Sequence, residues 1–128
     1  MVVLGVVQDG GCPHVGCVKP CCQRARDTKA EHLRSAMGIT DPSEGRCWLM
    51  DATPDLPRQL YELQHATELA FSGVLLTHAH IGHYTGLMYL GKEGLNGRRV
   101  PVYVMPRMRS FIEKNGPWKC WSLSTISI

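Results

Sequence analysis

Three histidines lie close together in the middle of the chain, at His78, His80 and His83. They follow an apolar segment typical of a strand, and in extended backbone side chains two residues apart project to the same face. His78 and His80 can therefore reach one ion, and Gly82 allows the turn that brings His83 back to them. Neutral imidazole is a good ligand for zinc and for iron. The spacing predicts a site for Zn, or alternatively Fe, at the end of a strand.

A second group of soft ligands lies near the amino terminus, in a segment rich in glycine and proline that has no apolar periodicity. One tetrahedral zinc ion could order such a loop. The soft side chains of this segment are the candidate ligands of such a structural zinc, while unligated buried thiols are the alternative. Cys47 and Cys120 are expected to be core residues. All five soft side chains of the segment fall within eleven residues: Cys12, His14, Cys17, Cys21 and Cys22.

Composition narrows the class of protein. The 128 residues are 44% hydrophobic and 20% charged, which is typical of one globular domain or part of a larger one. A net charge of +3, spread along the chain, argues against a nucleic-acid partner. The apolar start at residues 1–7 is too short to cross a membrane and has no basic lead-in. With no signal segment and crowded cysteines, a reducing, cytoplasmic setting is expected.

Apolar patterns predict an α/β fold in which a mixed β-sheet is flanked by helices. The first strand, Val2 to Val7, is β-branched throughout and is expected to be central and buried on both faces. A loop follows from Gln8 to about Cys22. The remaining predictions are a hairpin over 31–51, helices over 55–69, 85–90 and 106–114, strands over 71–76 and 99–105, and a final strand or irregular end over 118–128.

The histidine segment Thr77–Leu87 resembles the signature loop, His-x-His-x-Asp-His, of metallo-β-lactamase-fold hydrolases. Asp51 matches that family's earlier strand-end aspartate. The Gly-Gly-Cys loop, the cysteine-rich segment ending in Gln-Arg-Ala-Arg, and Asp-Ala-Thr-Pro-Asp at 51–55 resemble the branch that contains the coenzyme PQQ synthesis protein B. The resemblance covers roughly residues 2–117. It implies a metallo-β-lactamase-like αββα sandwich, with residues 1–128 forming a single domain that is incomplete at its carboxyl end.

The resemblance also implies roles for the candidate residues. His78 and His80 would serve a first metal, and His83 a second one together with a preceding aspartate. Asp51 is the candidate catalytic residue, and its implied role is to accept hydrogen bonds from the histidine loop and so hold the ligands in position. An equal alternative is that Asp51 only caps the end of its strand. The implied activity is metal-dependent hydrolysis of a small-molecule or peptide-derived substrate by a metal-activated water. A phosphodiesterase of the same fold and a non-catalytic metal-binding module are the alternatives, and a homo-oligomer is left open.

Two departures from the family pattern modify these expectations. Gly82 stands where the family has its aspartate, so a mononuclear site is expected and His83 should matter less than His78 or His80. In the cysteine segment the family pattern is Cys-x-Cys-x-x-Cys; Cys17 and Cys22 match its ends, but Lys19 replaces its middle cysteine. Either Cys21 or Cys12 would have to substitute. The family's remaining ligands come from a second half, and no histidine follows His83 here.

Overall fold

A six-stranded mixed sheet, with its strands side by side in chain order, organises the fold. The computed structural model describes residues 1–118 and 126–127. The strands are β1 (Val2–Gly5), β2 (Ala36–Asp41), β3 (Arg46–Met50), β4 (Ala70–Leu75), β5 (Val100–Tyr103) and β6 (Ile126–Ser127). The helices are α1 (Pro20–Asp27), α2 (Leu56–Thr67), α3 (Ile81–Tyr84) and α4 (Pro106–Lys114), and a 3-10 helix spans Thr85–Leu90.

Strand direction determines which loops meet. The pairs β1/β2 and β2/β3 are antiparallel, whereas β3/β4, β4/β5 and β5/β6 are parallel. It follows that β1, β3, β4 and β5 all run the same way and end at one edge of the sheet. The segments after β1, β3 and β4, which carry Asp9, Asp51 and the three histidines, therefore meet at that edge.

The core lies between one face of the sheet and the helices. Buried residues alternate along β2, β3 and β5, as expected when one face of a strand is covered. Gly38 on β2 allows Leu63 of α2 to approach closely, because a β-carbon there would overlap the leucine side chain. Burying each such leucine contributes roughly 1.5–3 kcal/mol. The core residues of the strands and helices include Leu4, Cys47, Leu49, Val74, Val102, Leu56, Leu60, Leu63, Leu87, Leu90, Met108 and Ile112.

Most of the predicted elements are confirmed. The hairpin is β2 and β3, joined by a turn in which Asp41 Oδ1 accepts hydrogen bonds from the backbone of Ser43 and Glu44. The predicted helix over 106–114 is α4, and the helix over 55–69 is α2, slightly shorter at both ends. Strand β5 lies inside its predicted range, and β4 is displaced by one residue from the predicted 71–76. The segment over 85–90 is helical but takes the 3-10 form.

Two predictions for the amino-terminal third are wrong. The first strand is an edge strand that pairs with β2 alone among the described strands, and Val3 and Val6 are 68% and 75% exposed. An apolar β-branched run favours a strand but does not show how many neighbours that strand has. The expected loop is also shorter, because α1 begins at Pro20 and places Cys22 and Ala25 in buried positions.

Part of the predicted carboxyl-terminal segment, residues 119–125 and 128, lies outside the described residues. Within it, Ile126–Ser127 forms β6 beside β5, in agreement with a final strand. Among the described residues, none of the helices has the length and apolar character needed to span a bilayer.

Candidate metal centre

The three histidine rings lie together at the carboxyl edge of the sheet. The ring centroids of His78 and His80 are 4.5 Å apart, and those of His78 and His83 are 4.1 Å apart. The chain turns back toward His78 at the short helix α3, where the backbone N–H of His83 donates to the carbonyl of His80. The structure thus brings together the three residues that the sequence singled out. His80 is exposed at the surface, whereas the His83 side chain is only 15% exposed.

Asp51 holds the histidine loop from behind. Its buried carboxylate accepts hydrogen bonds from the backbone N–H of Thr77 at 2.8 Å and from the Thr77 hydroxyl at 2.9 Å. It also lies 2.7 Å from His83 Nδ1; because an ionised carboxylate only accepts, His83 donates through Nδ1. Asp51 has a backbone φ of 69°, a left-handed conformation that costs free energy and is concentrated at functional sites. Asp51 therefore caps the loop and braces a histidine at once.

Thr77 extends this brace to a second histidine. Its hydroxyl hydrogen is donated to Asp51, and its oxygen lies 2.8 Å from His78 Nδ1. With the hydroxyl hydrogen used, His78 Nδ1 must be the donor in that contact. In the neutral form that binds metal ions, both His78 and His83 would carry their proton on Nδ1, so Nε2 would be the ligand nitrogen of each ring. Thr77 was not a predicted site residue, although its position directly before His78 was a signal.

Asp9 is the main residue that sequence reasoning missed. It lies in the loop after β1, and its Oδ1 is 3.1 Å from His83 Nε2, while Oδ2 is 3.9 Å from His80 Nδ1. The available signal was an acidic residue at the end of a predicted strand, in Gln8-Asp9-Gly10-Gly11. The structure therefore supplies a carboxylate next to the histidines from a segment 74 residues earlier in the chain.

The donor set suits a transition metal, since imidazole and carboxylate are ordinary zinc and iron ligands. Within the described part of the chain, however, no three His, Cys, Asp or Glu side chains are arranged to hold an ion as they stand. At the histidine edge one ligand nitrogen is already in contact with another group, since His83 Nε2 faces Asp9 Oδ1. An ion would enter by replacing the Asp9 to His83 contact, while the contacts made by Asp51 could remain.

The cysteine segment is less organised. Cys17 is half-buried, Cys21 is exposed and Cys22 is buried. The Cys22 sulfur accepts a hydrogen bond from the backbone N–H of His14 at 3.4 Å. The three thiols line one surface cleft together with Cys12 and His14. The thiols therefore lie near one another. Among the residues that the structure describes, however, they are not arranged as a set of three or more ligands that could hold a metal ion.

Cys47 is a core residue, as predicted. It is fully buried on β3, and this burial raises the pKa of its thiol, which disfavours the reactive thiolate. Cys120 lies outside the described residues.

The fold and the histidine edge agree with a defined class of protein. Residues 46–120 match the beta-lactamase superfamily domain, and the chain belongs to this superfamily. Among curated proteins it is similar to coenzyme PQQ synthesis protein B from Acinetobacter baumannii (strain SDF), with 31% identity over 100 residues. That alignment covers 72% of this chain and 33% of the relative. The chain thus spans about a third of the length of the curated relatives it matches.

Solved structures support the fold assignment. The crystal structure of Zn(2+)-bound PqqB from Methylobacterium extorquens has a TM-score of 0.75 at 24% identity, covering 92% of this chain and 41% of that one. A diphosphatase from the PhnP family has a TM-score of 0.63 at 25% identity, covering 88% of this chain and 43% of that one. The predicted α/β, metallo-β-lactamase-like fold class is confirmed.

Proposed function

We propose that this chain carries the histidine edge of a metal-dependent hydrolase-like protein related to PQQ synthesis protein B, and that His78, His80 and His83 bind zinc or iron there. The observation that supports this proposal is the meeting of three imidazole rings with the Asp51 brace at the end of β4. Ligating histidines ordinarily have such an acceptor behind them, which fixes the tautomer and the ring orientation. The zinc named for the PqqB neighbour is consistent with the choice of metal.

Each residue has a distinct task in this proposal. His78 and His83 present Nε2 because Asp51, directly and through Thr77, holds their protons on Nδ1. His80 is free to turn toward an ion, since most of its side chain is exposed. A bound ion would supply an activated water and would polarise a carbonyl or phosphoryl oxygen of the substrate. Asp51 acts by positioning and does not face the substrate.

A second ion is proposed for the cysteine segment, where Cys17, Cys21 and Cys22 would hold a structural zinc. The buried Cys22 already accepts a backbone hydrogen bond, so one ligand is partly positioned. The thiols of all five described cysteines are free, which is the state maintained in a reducing compartment, and we therefore propose a cytoplasmic location. The proposed substrate is a small molecule or a peptide-derived compound, with neither nucleic acid nor membrane as partner.

Zinc titration of the purified chain tests the histidine site. The wild type is expected to bind zinc, and His80→Ala to lose at least tenfold in affinity, whereas His65→Ala on the exposed surface of α2 serves as the matched control and should bind as the wild type does. Absence of zinc binding, or equal affinity of His80→Ala and the wild type, would overturn the proposal.

Turnover distinguishes the reaction classes. The second candidate is phosphodiester hydrolysis, and the likeness to a PhnP-family diphosphatase supports it as another reaction at phosphorus. The zinc-loaded chain should be offered p-nitrophenyl acetate and bis-p-nitrophenyl phosphate in parallel. Hydrolysis of the carboxylic ester supports the first candidate, and hydrolysis of the phosphodiester alone supports the second. Zinc binding without turnover of either would assign this chain to the non-catalytic class.

A further inference from the structure

The Asp9 side chain occupies the space beside Gly82. A β-carbon added to Gly82 would lie 2.6 Å from Asp9 Cγ, 2.7 Å from its Cβ and 2.8 Å from its Cα. Real β-carbons do not approach other atoms so closely, and Gly82 is buried. Any side chain at position 82, including an aspartate, would therefore collide with Asp9. The two positions exclude each other, and only one of them can supply a carboxylate to the histidines.

Asp9 reaches both of the histidines that flank this position. Its Oδ1 lies 3.1 Å from His83 Nε2 and its Oδ2 lies 3.9 Å from His80 Nδ1. Two ligands of one zinc ion, each about 2.0–2.2 Å from it, are roughly 3–3.5 Å from each other. The Asp9 to His83 separation is already in that range, so these two atoms are close enough to become ligands of one ion.

Carboxylates face both ring nitrogens of His83, Asp51 at Nδ1 and Asp9 at Nε2. Asp51 lies on the buried side of the ring and holds its orientation. Asp9 lies at the nitrogen on the opposite side, where imidazole nitrogen and carboxylate oxygen could both be ligands of one cation.

Asp9 is held in place by a network separate from the histidines. The Arg34 side chain donates through Nε to the Asp9 carbonyl at 2.6 Å. Its Nη1 pairs with Asp55 Oδ1 at 2.9 Å, and the Arg34 backbone N–H donates to Asp55 Oδ2 at 2.8 Å. Arg34 and Asp55 are both only 20% exposed. The segment 51–55 thus positions the site through two sets of contacts. Asp51 contacts His83 directly, and Asp55 pairs with Arg34, which in turn donates to the Asp9 carbonyl.

We propose that Asp9, from the loop after β1, is a metal ligand that takes the place of the carboxylate missing at Gly82, and that it holds a divalent zinc or iron ion together with His80 and His83. This inference rests on the proposed metal-binding function and names one further ligand for it. It has a consequence opposite to the expectation from the histidine motif alone: His83 contributes to binding as much as His80 does.

Cobalt(II) substitution and zinc competition against a chromophoric chelator test the role of Asp9. Asp9→Asn keeps the size of the side chain and removes its charge. It is expected to weaken zinc binding at least tenfold and to alter the visible spectrum of the cobalt-loaded chain, which reports the ligand set. Asp27→Asn, at the exposed end of α1, is the matched control and should leave both unchanged. Thermal unfolding of the metal-free variants shows whether each is folded.

A pair of substitutions that differ only in the carboxylate provides the second test. Asp9→Ala, which removes the carboxylate, should bind zinc as weakly as Asp9→Asn does, whereas Asp9→Glu, which keeps it, should retain more of the affinity. If Asp9→Asn and the wild type have equal affinity and the same cobalt spectrum while His80→Ala loses binding, Asp9 is no ligand although the proposed function stands. If the wild type binds no zinc at all, the proposed function itself has failed.

Discussion

The histidine edge and the cysteine segment contain similar numbers of candidate ligands but differ in how those ligands are held. At the histidine edge, hydrogen bonds from residues 26, 32 and 74 positions away fix the loop. In the cysteine segment, the described thiols of Cys12, Cys17, Cys21 and Cys22 make one hydrogen bond, between Cys22 and the backbone of His14. The number of candidate ligands in a short stretch of sequence therefore does not show how firmly their side chains are held in position. That depends on contacts between segments that are distant along the chain.

The largest expected effect concerns the number of ions. If both regions bind zinc, the wild type holds two ions per chain, and the double variant Cys17→Ser/Cys22→Ser should lose one of them completely, because serine is a poor zinc ligand. Elemental analysis after dialysis measures the ratio. His80→Ala is the counterpart and should lose the other ion. One ion in the wild type, retained in the double variant, would show that the cysteine segment binds no zinc.

Asp51→Asn should produce the next largest effect. The amide cannot accept from Thr77 and His83 as a carboxylate does, and loss of such an acceptor behind ligating histidines typically lowers metal affinity about 10- to 100-fold. Loss of these buried hydrogen bonds should also lower the free energy of unfolding by about 1–3 kcal/mol. Zinc competition and urea unfolding measure the two effects. Unchanged zinc affinity would remove Asp51 from the site and leave it as a loop cap.

Arg34→Met should have a smaller effect on stability. The change removes the guanidinium donors to Asp55 Oδ1 and to the Asp9 carbonyl, while the backbone N–H of residue 34 still donates to Asp55 Oδ2, and we expect a loss of about 1–2 kcal/mol in urea unfolding. Arg58→Met is the matched control, because Arg58 pairs with Glu31 and Glu62 on the surface, where ion pairs contribute about 0–1 kcal/mol. Equal losses in the two variants would show that the network behind Asp9 is no stronger than a surface pair.

The smallest effect is expected at Asp41, the half-buried last residue of β2, whose carboxylate accepts hydrogen bonds from the turn that follows. The hydrogen bond from the Ser43 hydroxyl, followed by that from the backbone of Glu44, lowers the pKa of Asp41. A lowered pKa in the folded state stabilises the fold above the ordinary aspartate pKa of 3.8, and this contribution is lost as the pH falls through the lowered value. Wild type and Asp41→Asn should therefore differ slightly in unfolding at pH 6 and converge near pH 2. A difference independent of pH would contradict this.

Sequence patterns correctly predicted the helices and strands whose start signals and apolar periodicity lie within their own residues. Helix α4 begins at Pro106 and ends before Asn115-Gly116, and α2 has Pro57 in its first turn and leucines on one face, so both were predictable from start signals and periodicity. The same reasoning misjudged β1, since the number of neighbours of a strand is absent from its own sequence. It also missed α1, because that helix is mostly polar and has only two buried residues, Cys22 and Ala25, too few to show a helical periodicity of apolar residues.

The sequence by itself determined the chemistry available to this protein: three imidazoles at the end of an apolar strand, an aspartate at the end of another, and a glycine where a carboxylate was expected. Only the tertiary structure decided how these groups are completed. Because β1, β3 and β4 run the same way, their ends meet at one edge, and Asp9 comes to lie against Gly82 and His83. Residues so far apart along the chain leave no common local pattern, so the Asp9 to His83 pair becomes visible only once the sheet has formed.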